Sequence, residues 1–235
     1  MQILIVGANG GIGLAMVQQA ITQFDNVRIY ATYHRNQPDW SHPWVTWYRL
    51  DASRENEVEA LSLELKSIDW VINCAGILHS RHHSPEKSLN ALDADFFQHN
   101  LAVNTLPTVL LAKYFTATLK RSPAPKFASL SAKVGSISDN QLGGWYSYRV
   151  SKAALNMFLK TMSIEWRRTV KHGVVLALHP GTTNTRLSAP FQSNVPEGKL
   201  FTPKRVAADL ISLIDKSTPD DSGAFWAYDG EILPW

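Results

Sequence analysis

The chain has 235 residues, of which 45% are hydrophobic and 18% charged, and its formal net charge is +3. A length of this order holds one large domain or two small ones, and the apolar content excludes a disordered chain. The weak, mixed charge gives no footprint for nucleic acid, and a single cysteine, Cys74, excludes an intramolecular disulfide framework and a cysteine-rich zinc site.

The first apolar run, Ile3–Val6, is short and rich in β-branched residues, which predicts a strand. No basic segment or long apolar stretch precedes it, and no run approaches the ~18–20 residues that span a bilayer. A cytoplasmic protein with no membrane partner is expected. Gly7-Ala-Asn-Gly-Gly-Ile-Gly13 follows, then a helix over Gly13–Phe24 with Leu14, Val17, Ala20, Ile21 and Phe24 on one stripe. Glycines between strand and helix let the backbone turn tightly and approach a phosphate, which the free N–H groups at the helix start then bind. The spacing Gly-x3-Gly-x-Gly differs from Gly-x-Gly-x-x-Gly and lacks the Gly-Lys-Ser/Thr of a P-loop. A nucleotide phosphate site is expected at Gly7, Asn9, Gly11, Ile12 and Gly13; a plain strand-to-helix turn is the alternative.

The second strand, Val27–Thr32, runs into Tyr33-His34-Arg35. A carboxylate at this place would bind the ribose 2′-OH of NAD, and there is none. Arg35, aided by His34, suits a 2′-phosphate, so NADP(H) is favoured over NAD(H). A solvated loop arginine is the plain alternative. The third strand, Val45–Leu50, is flanked by Trp40, Trp44 and Trp47, which are expected to pack on the core or its flank.

A helix over Ser53–Ser67 buries Val58, Leu61 and Leu65 and exposes its glutamates. Strand Trp70–Asn73 ends at Cys74, read as a packed thiol. The segment His79–Asn90 reads as loop, and its His79, His82 and His83 as solvated rather than metal-binding. Helix Ala94–Arg121, strand Phe127–Ser131, helix Tyr148–Arg168, strand Val174–His179, loop Leu187–Pro203, helix Pro203–Lys216 and strand Ala224–Tyr228 complete the alternation. Strands alternating with helices predict an α/β fold: a Rossmann-like doubly wound, mostly parallel seven-stranded sheet with helices on both faces. No linker divides it, so residues 1–235 are read as one domain.

Tyr148-Arg-Val-Ser-Lys152 opens the longest helix, and residues at i and i+4 share a helix face. A free phenol has a pKa near 10, too high for acid/base work at neutral pH; a nearby ammonium favours the phenolate and lowers it. The pair is therefore expected to act as one unit.

These motifs, taken together, resemble the short-chain dehydrogenase/reductase family over nearly the whole chain. The glycine turn, Asp51 after the third strand, Asn73-Cys-Ala75-Gly76, Asn104, Tyr148 with Lys152, and Pro180-Gly181 with Thr183 and Thr185 fall in the family's order. The stretch Val134–Asn156 and the ending Tyr228–Trp235 are similar to the family's C-factor-like branch and to Sniffer-type carbonyl reductases. The resemblance implies hydride exchange between a nicotinamide cofactor and a small carbonyl or alcohol. It implies Tyr148 as acid/base, Lys152 on the nicotinamide ribose, and Asn104 holding a water beside Lys152. A homodimer or homotetramer is implied in the same way. The C-factor branch also implies an alternative, a non-catalytic NAD(P)-binding regulatory or cell–cell signalling protein.

One position departs from the family. Its catalytic serine falls at Ala132 here, and Ser131 is one residue earlier. Adjacent strand residues point to opposite faces, so Ser131 serves only if the strand is bulged or already turning. Ser136 is a further candidate, and the plain reading is that no serine acts. Trp145, Phe191 and Phe201 are candidates for lining a substrate pocket.

Overall fold

The computed structural model describes residues 1–235. Its strands are β1 (Gln2–Val6), β2 (Arg28–Tyr33), β3 (Val45–Arg49), β4 (Trp70–Asn73), β5 (Lys126–Leu130), β6 (Val174–His179), β7 (Thr182–Thr183), β8 (Leu200–Phe201) and β9 (Ala224–Ala227). Seven of them form one sheet in the order β3-β2-β1-β4-β5-β6-β9, and β7 pairs with β8 separately. All six pairings of the large sheet are parallel, with Leu4 opposite Tyr30 on one side and Val71 on the other. Chain order reverses between β1 and β4. That is the switch point at which the carboxyl ends of strands open a crevice.

The sheet is covered on both faces, and strand alternation decides which residue goes where. Leu4, Val6, Val71 and Phe127 turn to one core, with Phe115, Leu155 and Trp166. Ile3, Ile5, Ile72 and Ala128 turn to the other, with Met16, Val17, Leu210 and Ile211. The helices that bring these residues are α1 (Gly11–Gln23), α2 (Glu55–Glu64), α3 (Ala94–Asn104), α4 (Leu106–Leu119), α5 (Tyr146–Thr169) and α6 (Pro203–Lys216). Fully burying a phenylalanine such as Phe115 or Phe127, both 0% exposed, contributes about 1.5–3 kcal/mol.

The expected single helix over Ala94–Arg121 is two helices. Pro107 sits in the first turn of α4, and Thr105 lies between the two segments at φ −111° and ψ −54°. Proline offers no N–H to the carbonyl one turn earlier and its ring crowds that turn, so the helix breaks there. The break follows Asn104 directly, and Thr105 Oγ1 donates to the Ser151 carbonyl at 2.8 Å, tying the joint to α5.

The third strand's tryptophans divide. Trp40 and Trp47 pack on the α1/α6 side, whereas Trp44 is 46% exposed, against His42, rather than buried. No helix is long and apolar enough to cross a membrane.

Candidate active site

The turn after β1 is where glycine is required. Gly7 has φ +71°, and a Cβ there would lie 2.9 Å from the Ala75 amide nitrogen. A Cβ on Gly13 would meet the Gly7 carbonyl oxygen at 2.4 Å, which locks α1 close behind the strand. The helix cap, Gly10, makes no side-chain hydrogen bond, so the first-turn amides of Gly11, Ile12 and Gly13 stay free where these residues line a cleft. Free amides at the positive end of a helix suit a phosphate.

The cleft has a volume of about 740 Å³ and runs from that turn past Ala75 and Gly76 to Ser131, Tyr148 and Lys152. Asn9, Pro180 and Thr185 also line it. A second recess of about 370 Å³ opens from the same turn, walled by Gly7, His34, Asp51 and Ala52. His34 Nε2 lies 3.5 Å from Asp51 Oδ2. Burial acts to raise the Asp51 pKa, but the Ser53 hydroxyl and amide, with His34 and Arg54, outweigh it and hold the carboxyl below its ordinary value.

Other predicted residues stand behind these walls. Asn73 braces the end of β4: Nδ2 donates to Thr108 Oγ1 at 2.8 Å and Oδ1 accepts from the Ala75 amide at 3.0 Å. Asn104 is fully buried; Oδ1 accepts from the Ile77 amide at 2.7 Å, and Nδ2 is 2.9 Å from Ser151 Oγ. A Cβ on Gly76 would lie 3.1 Å from Asn104 Oδ1 and 3.5 Å from Lys152 Nζ, so the three groups converge. Gly181, at φ +67°, and Thr183, whose Oγ1 donates to the Pro180 carbonyl at 3.2 Å, shape the segment beneath Thr185 without lining the cleft. Arg35 is exposed and lies between His34 and Asn36, each of which lines one of the two recesses; Arg35 itself lines neither.

Tyr148 and Lys152 are both buried, at 9% and 3% exposure, with Nζ 5.8 Å from the ring centroid. Lys152 Nζ donates to the Leu130 carbonyl at 2.9 Å. The electrostatics differ from the sequence expectation. Burial raises Tyr148 above the ordinary phenol value rather than the ammonium lowering it, and burial pulls Lys152 down to about 8. Desolvation disfavours both charged forms and is the cause of each shift.

The strand question at Ser131 has a definite answer. β5 ends at Leu130, and Ala132 already caps a 3-10 turn over Lys133–Gly135. Ser131 therefore lies past the strand and lines the cleft beside Tyr148. Its hydroxyl donates to Asn156 Oδ1 at 2.5 Å. Ser136 is buried, and its Oγ accepts from the Asp139 amide. Cys74 is half-buried and lines the cleft, and desolvation pushes its thiol up to about 12.

Three side chains carry weight that the sequence did not signal. Glu86, from the irregular loop, is 3% exposed; its carboxylate accepts from the Ser147 amide and hydroxyl, and its carbonyl from the Trp145 amide at 2.5 Å. Nothing distinguishes such a glutamate from a solvated one until the loop folds onto α5. A Glu86→Ala variant is expected to lose about 1–3 kcal/mol, seen as a Tm lower by roughly 2–10 °C in a thermal melt. Arg186 lines the cleft. Asn156 is the third, two turns beyond Tyr148 on α5.

Aromatic rings gather beside Tyr148. Trp145 packs edge-on to it at 6.2 Å, Phe191 meets Trp145 at 5.3 Å, and His79 meets Phe191 at 5.8 Å. Phe201, expected in that wall, is instead 5% exposed and packed on Tyr228. His83 stacks on Phe96, away from His79.

The sequence profile of the short chain dehydrogenase family matches residues 1–196. The protein is a short-chain dehydrogenase/reductase. Members of this family are NAD(P)-dependent oxidoreductases, and the glycine turn, cleft and Tyr/Lys pair of this short-chain dehydrogenase/reductase have the fold that such an enzyme requires. It is 31% identical over 248 residues to 1-hydroxy-2-glutathionyl-2-methyl-3-butene dehydrogenase of Rhodococcus sp. (strain AD45), covering 99% of both chains. It is 29% identical over 168 residues to C-signal of Myxococcus xanthus, covering 72% of this chain and 93% of that one. Among solved structures it resembles the carbonyl reductase Sniffer of Drosophila melanogaster, at a TM-score of 0.87 and 23% identity over 100% of this chain and 99% of that chain.

Proposed function

We propose that this chain, acting as one domain over residues 1–235, is an NADP(H)-dependent carbonyl reductase with Tyr148 as general acid. The observation that carries the reading is the position of Tyr148 and Lys152: side by side, buried, and in the wall of the cleft that begins at the glycine turn. The residues fit a dinucleotide, since a Cβ at Gly7 or Gly13 would close the turn and the α1 amides there are uncapped. When bound, the nicotinamide supplies the hydride.

The chain's own groups do the rest. Tyr148 gives its proton to the oxygen of the reduced carbonyl. Lys152 holds the ribose side of the cleft, with its ammonium fixed by the Leu130 carbonyl. Ser131 Oγ polarises the carbonyl oxygen. Asn104 fixes the segment around Ile77 beside Lys152.

The preference for the 2′-phosphate rests on Arg35 and His34 at the end of β2. Arg35→Ala is expected to reduce the ratio of NADPH to NADH affinity by roughly 10-fold or more. An unchanged ratio, measured by titration of both cofactors, would remove the argument. Exposed Val150, Met157 and Ile164, seven residues apart on α5, support a homodimer or homotetramer.

A second reading is favoured by the similarity to C-signal and by Ala132 at the serine position: a cofactor-binding regulator without turnover. NADPH oxidation over a panel of aldehydes, aliphatic ketones and benzil, beside an NADPH titration, separates the two. Turnover of any panel carbonyl supports the reductase; tight binding with none supports the regulator.

A further inference from the structure

Asn156 is 3% exposed, and its Nδ2 is buried with no hydrogen-bond partner, while its Oδ1 accepts the Ser131 hydroxyl at 2.5 Å. A buried amide N–H₂ left unpaired is costly, so its retention in the interior asks for a reason. The location supplies one. Tyr148, Lys152 and Asn156 recur every four residues on the same face of α5, and Ser131 lines the cleft beside the first two. In the bond as it stands, the Ser131 proton is spent on Asn156 and is not offered to a substrate. Rotating the amide by half a turn exchanges its oxygen and nitrogen in place, so that Nδ2 donates to Ser131 Oγ.

We infer that Asn156 is a positioning residue for Ser131, whose amide turns to donate to Ser131 Oγ when a carbonyl oxygen accepts the Ser131 proton. This rests on the reading of Ser131 as the polarising hydroxyl. The N–H₂ then has a partner during reaction, the amide oxygen takes the unpaired place, and Ser131 becomes a donor held from behind. No bond is made or broken in this step; one hydrogen bond reverses direction. The arrangement also accounts for how a serine one residue out of the family's position can serve. It lies beyond the end of β5, and an α5 side chain fixes its orientation.

The test compares Ser131→Ala, Asn156→Asp, Asn156→Leu and the double variant Ser131→Ala/Asn156→Leu, using the panel carbonyl that the wild type reduces fastest. NADPH affinity and Tm are measured for each as controls. Ser131→Ala should lower kcat by roughly 100-fold. An aspartate can only accept at neutral pH, so Asn156→Asp should hold the Ser131 proton and lower kcat comparably. Its activity relative to wild type should recover as pH falls from about 8 to about 5, when a buried carboxyl takes up a proton and can donate. Asn156→Leu removes the unpaired donor, so Tm should be unchanged or higher while kcat falls roughly 10-fold. The double variant should be no slower than Ser131→Ala alone.

If Ser131→Ala is slow but both Asn156 variants keep wild-type kcat, the inference is wrong and the serine reading stands. Losses that multiply in the double variant, or an Asn156→Asp profile parallel to wild type, also overturn it. If Ser131→Ala keeps full activity, the serine reading itself fails and takes this inference with it.

Discussion

Replacing Tyr148 by Phe is expected to lower kcat for NADPH-dependent carbonyl reduction by roughly 10²–10⁴-fold, the range for losing a positioned general acid. NADPH affinity should stay within about twofold, because only the transferred proton is removed and not the wall of the cleft. Tyr148 is 9% exposed and its ring packs against Trp145, so phenylalanine retains that packing. Tm should therefore stay close to that of wild type, because the ring packing is kept. Steady-state kinetics, a cofactor titration and a thermal melt on the same preparation check all three. Full activity in this variant would end the assignment of the proton to Tyr148.

Lys152→Met should show opposite effects on activity and stability. Activity should fall at least roughly 100-fold, since the ammonium beside Tyr148 is lost. Stability at neutral pH should rise. Lys152 is pulled down to about 8 by burial, below the ~10.4 of an exposed lysine. The unfolded chain thus binds this proton more tightly than the folded one, which makes the charged lysine a cost to folding. That cost is full below about pH 8 and disappears as pH rises past the unfolded value of ~10.4. The gain in Tm of Lys152→Met over wild type should be largest at pH 7 and shrink toward pH 10.5. A variant less stable than wild type at pH 7 would mean that the ammonium is better satisfied than its single Leu130 contact implies.

Much of this was legible in the sequence, and for identifiable reasons. Continuous β-branched runs report a sheet covered on both faces, and they place each of the seven strands within about two residues. The glycine turn is legible because a positive φ at Gly7 and sub-contact Cβ distances at Gly7 and Gly13 admit almost nothing else. The i, i+4 spacing of Tyr148 and Lys152 puts them on one face without further information. Long-range pairing was not legible. Glu86 acquires its role only when a loop meets the start of α5, 61 residues away. Asn156 is one more polar residue in a helix until β5 ends beside it. The break before Pro107 was readable in principle, since a proline inside an apolar periodicity is a stop signal, but the pattern on either side outweighed it. The direction of the Tyr148 pKa shift is not legible, because spacing reveals the neighbouring ammonium and not the depth of burial.

The most direct measurement follows a label. The wild-type protein is given NADPH deuterated at the transferable position and a carbonyl it reduces, and the alcohol is examined by mass spectrometry. One deuterium on the carbinol carbon is expected with wild type, and only background alcohol with Tyr148→Phe. Alcohol that carries no deuterium, or labelled alcohol formed equally fast by the Tyr148→Phe protein, would contradict it.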